Sequence, residues 1–301
     1  MEAVFVLRDK LRSLYAWADF IILPLLKLLC SVVFLLILRD YLGFEGRAAG
    51  WKLIGLLSLP CALFPAGCIS LSAAVYLLIG FYGLSVTHAA IAFAVFFLII
   101  VLYFGFAPGM GVLLALVPVS FIMGIPFAVP VILGMSLGLT SAVPAALGVF
   151  LFYLLRYLKT QAAGGSAFST ELIRALAENA KAIFMNKEML MVIFAFVLCI
   201  IVVYFISNSG MPHAWSIAVG AGLVTLAALM LFAASYQNEK GLSADLIGLV
   251  LSALICFAYE YLFYQVDYAR TEHLHIEDDE YFYYIKAIPK VKPYDESLRR
   301  E

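Results

Sequence analysis

Between Leu53 and Leu158 the chain has no acidic residue, and only His88 and Arg156 can carry positive charge there. About a hundred residues so poor in charge exceed what a soluble core buries, which excludes an ordinary globular domain and places the segment in a bilayer. The other scarcities narrow the reading further. Charged residues make up 13% of the sequence and the net charge is −1, so no global field attracts nucleic acid. The five cysteines (Cys30, Cys61, Cys68, Cys199, Cys256) all fall in apolar segments. They read as small buried hydrophobes without disulfide framework or metal spacing. Walker A, Gly-x-Ser-x-Gly and His-Glu-x-x-His are all missing, as is a pair of membrane aspartates. No catalytic residue, metal or cofactor is therefore expected, and energy from a nucleotide would need a separate subunit. The first twenty residues lack the basic-then-apolar order of a cleavable signal and carry Arg8, Asp9, Lys10, Arg12 and Asp19.

What is abundant is apolar surface and proline. The chain is 65% hydrophobic with a mean hydropathy of +1.03. Seven prolines (Pro60, Pro65, Pro108, Pro118, Pro126, Pro130, Pro144) interrupt the charge-poor stretch. Proline removes a backbone hydrogen bond, and hydrocarbon offers no water to replace it. Broken helices at that depth are tolerated where they pack in protein or line a cavity, as in many transporters. The expected fold is all-α: a polytopic membrane protein with proline-broken half-helices, surface helices and a polar tail.

Residues 1–266 read as the membrane domain and 267–301 as the tail. Residues 1–19 look like an interfacial helix and Ile21–Leu38 like a first span. Two similar blocks follow within 53–158. The first comprises Leu53–Phe64, Ala66–Phe81 and Thr87–Phe106; the second comprises Val112–Met123, Phe127–Leu137 and Ala142–Leu158. Each places a proline between its short helices (Pro65, Pro126) and a Gly-Leu-Ser/Thr turn before its long one. Chance likeness of apolar sequence explains this as well as an internal repeat does. If it is a repeat, the two copies are inverted and their hairpins enter from opposite faces. An amphipathic surface helix is expected at Glu171–Phe184, within 169–187, and three more spans within 189–266. Lysine and arginine gather in Arg39–Lys52 and Arg156–Lys187, so these loops share one side, the cytoplasm.

Candidate pathway residues are Lys27, Glu260, His88, Pro65, Pro126 and Gly124. Lys27 lies seven residues in from Phe20, about 10 Å, where it either snorkels or pairs. Glu260 falls at similar depth in the last span, which allows a Lys27–Glu260 pair. His88 starts a long helix, either at headgroup level or as a proton relay. Partner contacts are expected at Arg174 and Lys181 on the surface helix and at Asp278, Asp279, Tyr281 and Tyr283 in the tail. Glu272–Ile276 and Tyr281–Ile285 form a candidate hairpin, and the acidic run His273–Glu280 reads as solvated rather than metal-binding.

The run Pro118–Pro144, the segment Val266-Asp267-Tyr268-Ala269-Arg270-Thr271-Glu272, and Glu277-Asp278-Asp279-Glu280-Tyr281 through Pro289-Lys290 resemble an uncharacterised family of multi-pass membrane proteins from Gram-positive anaerobic bacteria. The resemblance implies a bacterial plasma-membrane location and no particular chemistry. Two functional readings lead, a permease of secondary-transporter type for a small solute or ion and a non-catalytic scaffold binding partners through its surface helix and tail; a membrane enzyme acting on lipid or cell-wall precursors is the third.

Overall fold

A computed structural model describes residues 2–43, 50–84, 86–106, 110–163, 186–211, 213–237, 242–264, 272–277 and 281–287. Helices α1 (Glu2–Leu42), α2 (Trp51–Leu63), α3 (Cys68–Leu84), α4 (Val86–Phe106), α5 (Val112–Ile122), α6 (Ala128–Ser136) and α7 (Ala142–Ala163) follow in order. A short 3₁₀ turn, Gly138–Ser141, precedes α7. Then come α8 (Lys187–Ser207), α9 (Ala214–Gln237) and α10 (Leu242–Phe263), and an antiparallel hairpin of β1 (Glu272–Glu277) and β2 (Phe282–Ala287). The fold is all-α apart from that hairpin. Among the described residues five helical segments are long and apolar enough to cross a membrane: Phe20–Leu42, Gly138–Thr160, Lys187–Ser207, Ala214–Leu231 and Asp245–Phe263.

One expectation changes. The interfacial helix and the first span are a single 41-residue helix, α1, with Pro24 inside it. The chain between Ala16 and Leu23 holds no glycine and no capping pair that would stop a helix, and Pro24 alone removes only one hydrogen bond. The helix ends where Gly43, at φ +65°, donates its N–H to the Arg39 carbonyl at 2.9 Å, a left-handed stop that glycine adopts without penalty.

The two blocks pack differently. In the first, α2 packs along α3 and α3 along α4; in the second, α5 packs along α7, while α6 packs against α8. Two apolar clusters result. One joins α1–α4 to the faces of α5 and α7 around Tyr76, Phe81 and Leu154; the other joins α5–α10 around Val117, Phe196 and Ile200. Large apolar side chains such as Leu25, Leu59, Phe97, Phe194, Val224 and Leu254 face outward along the bundle, as lipid requires.

Close approach depends on glycine. A Cβ at Gly148 would meet the Val117 Cβ at 2.6 Å, which locks α5 onto α7, and one at Gly222 would meet Val203 at 2.6 Å, between α9 and α8. Gly55 has open space around it. Gly148→Ala should therefore cost about 1–3 kcal/mol by overpacking, read as a lower thermal midpoint in detergent. Gly55→Ala should be neutral or stabilising; equal losses at both sites would show that the α5–α7 contact is not the tight one.

Candidate functional site

The directions of the broken helices follow from contacts along their lengths. Arg39 lies over the Trp51 ring at 5.1 Å, Ser31 donates to the Cys61 sulfur at 3.4 Å, and Lys27 donates to the Phe64 carbonyl at 3.4 Å. Pairing that falls on one chain as it rises on the other makes α2 antiparallel to α1. Thus α2 starts at the Arg39 end and stops level with Lys27. Helix α3 returns: Cys61 donates to Ser72 at 3.4 Å across the hairpin. At 13 residues α2 is about 20 Å long, too short for a hydrocarbon layer of about 30 Å.

The second hairpin runs the other way. Gly111, at the start of α5, touches Gly67, and Val117 and Phe121 lie against Gly148 and Phe152 of α7. Equal steps along both chains make α5 parallel to α7. Helix α7 runs to the Arg39 end, where Lys159 sits over the Tyr41 ring at 4.0 Å. Helix α6 turns back: Gly134 faces Val203 and Gly138 faces Tyr204 on α8, which leads away from that end. The tip between them reaches α10, where the Gly124 carbonyl would lie 2.7 Å from a Cβ on Gly248. The tip of the first hairpin stops level with Lys27, seven residues or about 10 Å inside Phe20; that of the second stops level with Gly248, six residues or about 9 Å inside Leu242. Two hairpins that enter from opposite ends of the bundle form the candidate site.

Both tips manage their backbone alike. The Pro65 carbonyl accepts from Cys68 N–H at 2.9 Å and the Pro126 carbonyl from Val129 N–H at 3.3 Å, so each tip proline opens the returning half-helix. Both prolines lie just outside their helices, where the missing N–H removes no helical hydrogen bond. Gly124 differs: its φ of +76° is the left-handed region that the second tip needs.

The expected Lys27–Glu260 pair does not form. Glu260 accepts from Ser216 Oγ at 2.9 Å, and Ser216 is the third residue of α9. Each charge meets a helix end instead of the other charge. The Lys27 ammonium lies on the carbonyl of Phe64, the C-cap of α2, where the helix dipole is negative; the Glu260 carboxylate lies at the start of α9, where it is positive. Among the described residues the one ion pair is Arg156 with Glu188, 3.1 Å, with Tyr153 OH donating to the same carboxylate oxygen at 2.9 Å. Sequence reasoning missed this triad and Asn186, whose side chain caps α8 by accepting from Glu188 N–H and Met189 N–H. Asn186 followed by an acidic first-turn residue was the available signal. The hydroxyls of Ser31 and Ser72 beside Cys61 were also missed; polar side chains scattered singly in apolar sequence carry no spacing signal.

His88 is buried in the first turn of α4. Tyr281 and Tyr283 are exposed on the β-hairpin. Arg174, Lys181, Asp278 and Asp279, and with them the surface helix Glu171–Phe184, lie outside the described residues. The basic positions Arg39, Arg156, Lys159 and Lys187 gather at one end of the bundle, as the loop charges anticipated.

A separate partner for each charge makes a specific forecast. In a cycle of Lys27→Met and Glu260→Gln, the two losses of thermal stability should add. Ser216→Ala should weaken Glu260 alone, by about 1.5–3 kcal/mol for a hydrogen bond to a charged group. Strong coupling between positions 27 and 260 would overturn the assignment. No family model, no curated protein and no solved structure matches the chain.

Proposed function

We propose that this protein is a permease of secondary-transporter type in a bacterial plasma membrane, with its basic end in the cytoplasm. The observation that carries the reading is the pair of opposed hairpins. A hairpin whose helices are shorter than the hydrocarbon layer leaves only a thin layer to open beyond its tip. Two of them pointing opposite ways supply one gate for each face. Broken helices also leave helix poles at mid-depth, and such poles are tolerated only inside protein or beside a cavity. The orientation rests on the basic end formed by Arg39, Arg156, Lys159 and Lys187.

A second reading, a scaffold that holds a partner at its tail, is favoured by one observation. Ile276 pairs with Tyr283 in the β-hairpin, and Ile285 shares their face. All three are about half exposed, at 50%, 46% and 47%, with Tyr281 packed beside Tyr283 at 6.2 Å between ring centres. A two-stranded hairpin with an uncovered apolar face is marginal by itself and gains from a covering surface.

The tips separate the two readings. Ala66→Cys and Ile125→Cys, in proteoliposomes, should each react with a charged thiol reagent supplied through water, because a gate must be wetted in some state. For a scaffold both tips stay sealed. Unreactive tips in the folded protein would refute the permease reading. Ser209→Cys should label from outside intact cells and Lys159→Cys should not; the reverse pattern would invert the orientation.

A further inference from the structure

Helices α2 and α3 turn two cysteines toward each other across the first hairpin. Cys61 lies in the last turn of α2 and Cys68 opens α3, with the Pro65 tip between them. Cys61 donates to the Ser72 hydroxyl at 3.4 Å, and Cys68 stands four residues before Ser72, on the same face of α3 and one turn nearer the tip. The Cys68 and Cys61 thiols accordingly share a hydrogen bond, and both pack with Ile69 and Ala115 in one small cluster. Their surroundings differ. Cys61 is fully buried and held by Ser31, which donates to its sulfur at 3.4 Å, whereas Cys68 is half-buried. Both are free thiols. Read from sequence alone, the two were small buried hydrophobes; the hairpin makes them a facing pair.

We propose that Cys61 and Cys68 are a redox-active dithiol that a hydroperoxide converts to a disulfide, clipping the tip of the first hairpin. Cys68, the more accessible thiol, attacks the O–O bond of hydrogen peroxide. An S–O bond forms and water leaves, so Cys68 carries a sulfenic acid. The Cys61 sulfur, already in contact, then attacks the Cys68 sulfur, and the S–O bond breaks as the S–S bond forms. Both thiol protons leave in the two waters, and the two electrons lost by sulfur reduce the peroxide. The bridge ties the end of α2 to the start of α3, where the Pro65 and Ala66 carbonyls already hold the turn through the N–H groups of Cys68 and Ile69. The clip stands on the two cysteines alone; that it restrains a gate rests on the permease reading.

The test uses the full-length protein in phosphatidylcholine nanodiscs, reduced and then exposed to hydrogen peroxide. Thiols counted in denaturant should fall by two from the five present and recover with dithiothreitol, and the missing two should map to Cys61 joined to Cys68. Amide exchange at Cys68 and Ile69 should slow in the oxidised form. Cys30→Ser, which removes the neighbouring thiol, should keep the bridge, and Cys68→Ser should abolish it. Should Cys68→Ser fail to fold, the mapped pair in the unaltered protein decides alone. Five thiols surviving peroxide, oxidation of Cys68 that stops short of a bridge, or a bridge to Cys30 would each overturn the proposal; unchanged exchange would remove the restraint on the tip. The two readings fail separately. A mapped bridge in a protein whose tips stay sealed removes the permease and keeps the dithiol, whereas wetted tips with five intact thiols do the opposite.

Discussion

Every backbone amide in a hydrocarbon layer needs a partner, and this chain sets helices too short to cross such a layer among five segments long and apolar enough to do so. Most other features of the bundle answer that one demand. The tip prolines discard the N–H that would be orphaned and offer their carbonyls to the next turn. Serines do similar work along the interrupted helices: Ser58, Ser70, Ser72 and Ser120 each donate to a carbonyl three residues earlier. Where a helix end remains, a side chain of suitable charge meets it, as Lys27 does at the end of α2 and Glu260 at the start of α9.

That pattern changes the meaning of the two ionisable residues. A lysine and a glutamate at similar depth invite the idea of a salt bridge, because each alone is expensive in lipid. A helix terminus carries about half an elementary charge and cannot be lost by mutation of a distant residue. Charge compensation by helix ends is therefore local, between α1 and α2 for Lys27 and between α9 and α10 for Glu260.

The elements were legible in the sequence because proline and glycine punctuate it. Trp51–Leu63, Val112–Ile122 and Ala128–Ser136 fall within a few residues of the boundaries read from Pro65, Pro126 and Gly138. The order of short, short and long helices was legible for the same reason. Which helix lies beside which was not. The Arg156–Glu188 pair, the Gly148–Val117 approach and the Phe121–Phe152 stacking each join segments that apolar sequence leaves interchangeable. Periodicity was mute as well: a helix that is apolar all round shows no preferred face, so α3, α4 and α5 carried no sign of their neighbours. The continuity of α1 was missed because a change from mixed to apolar composition was taken for a break in the chain's path.

Where Gly111 faces Gly67 the two hairpins meet backbone to backbone, close enough that a Cβ on Gly111 would come within 2.9 Å of the Gly67 Cα. Side chains on meeting helices form ridges that fit the grooves opposite, and displacing them means climbing from one fit to the next. Two bare glycines have no ridge to climb. A methyl added at Gly111 would act as a wedge, prising the two hairpins apart at the place where they otherwise touch smoothly, so a single carbon atom there would set the spacing between them.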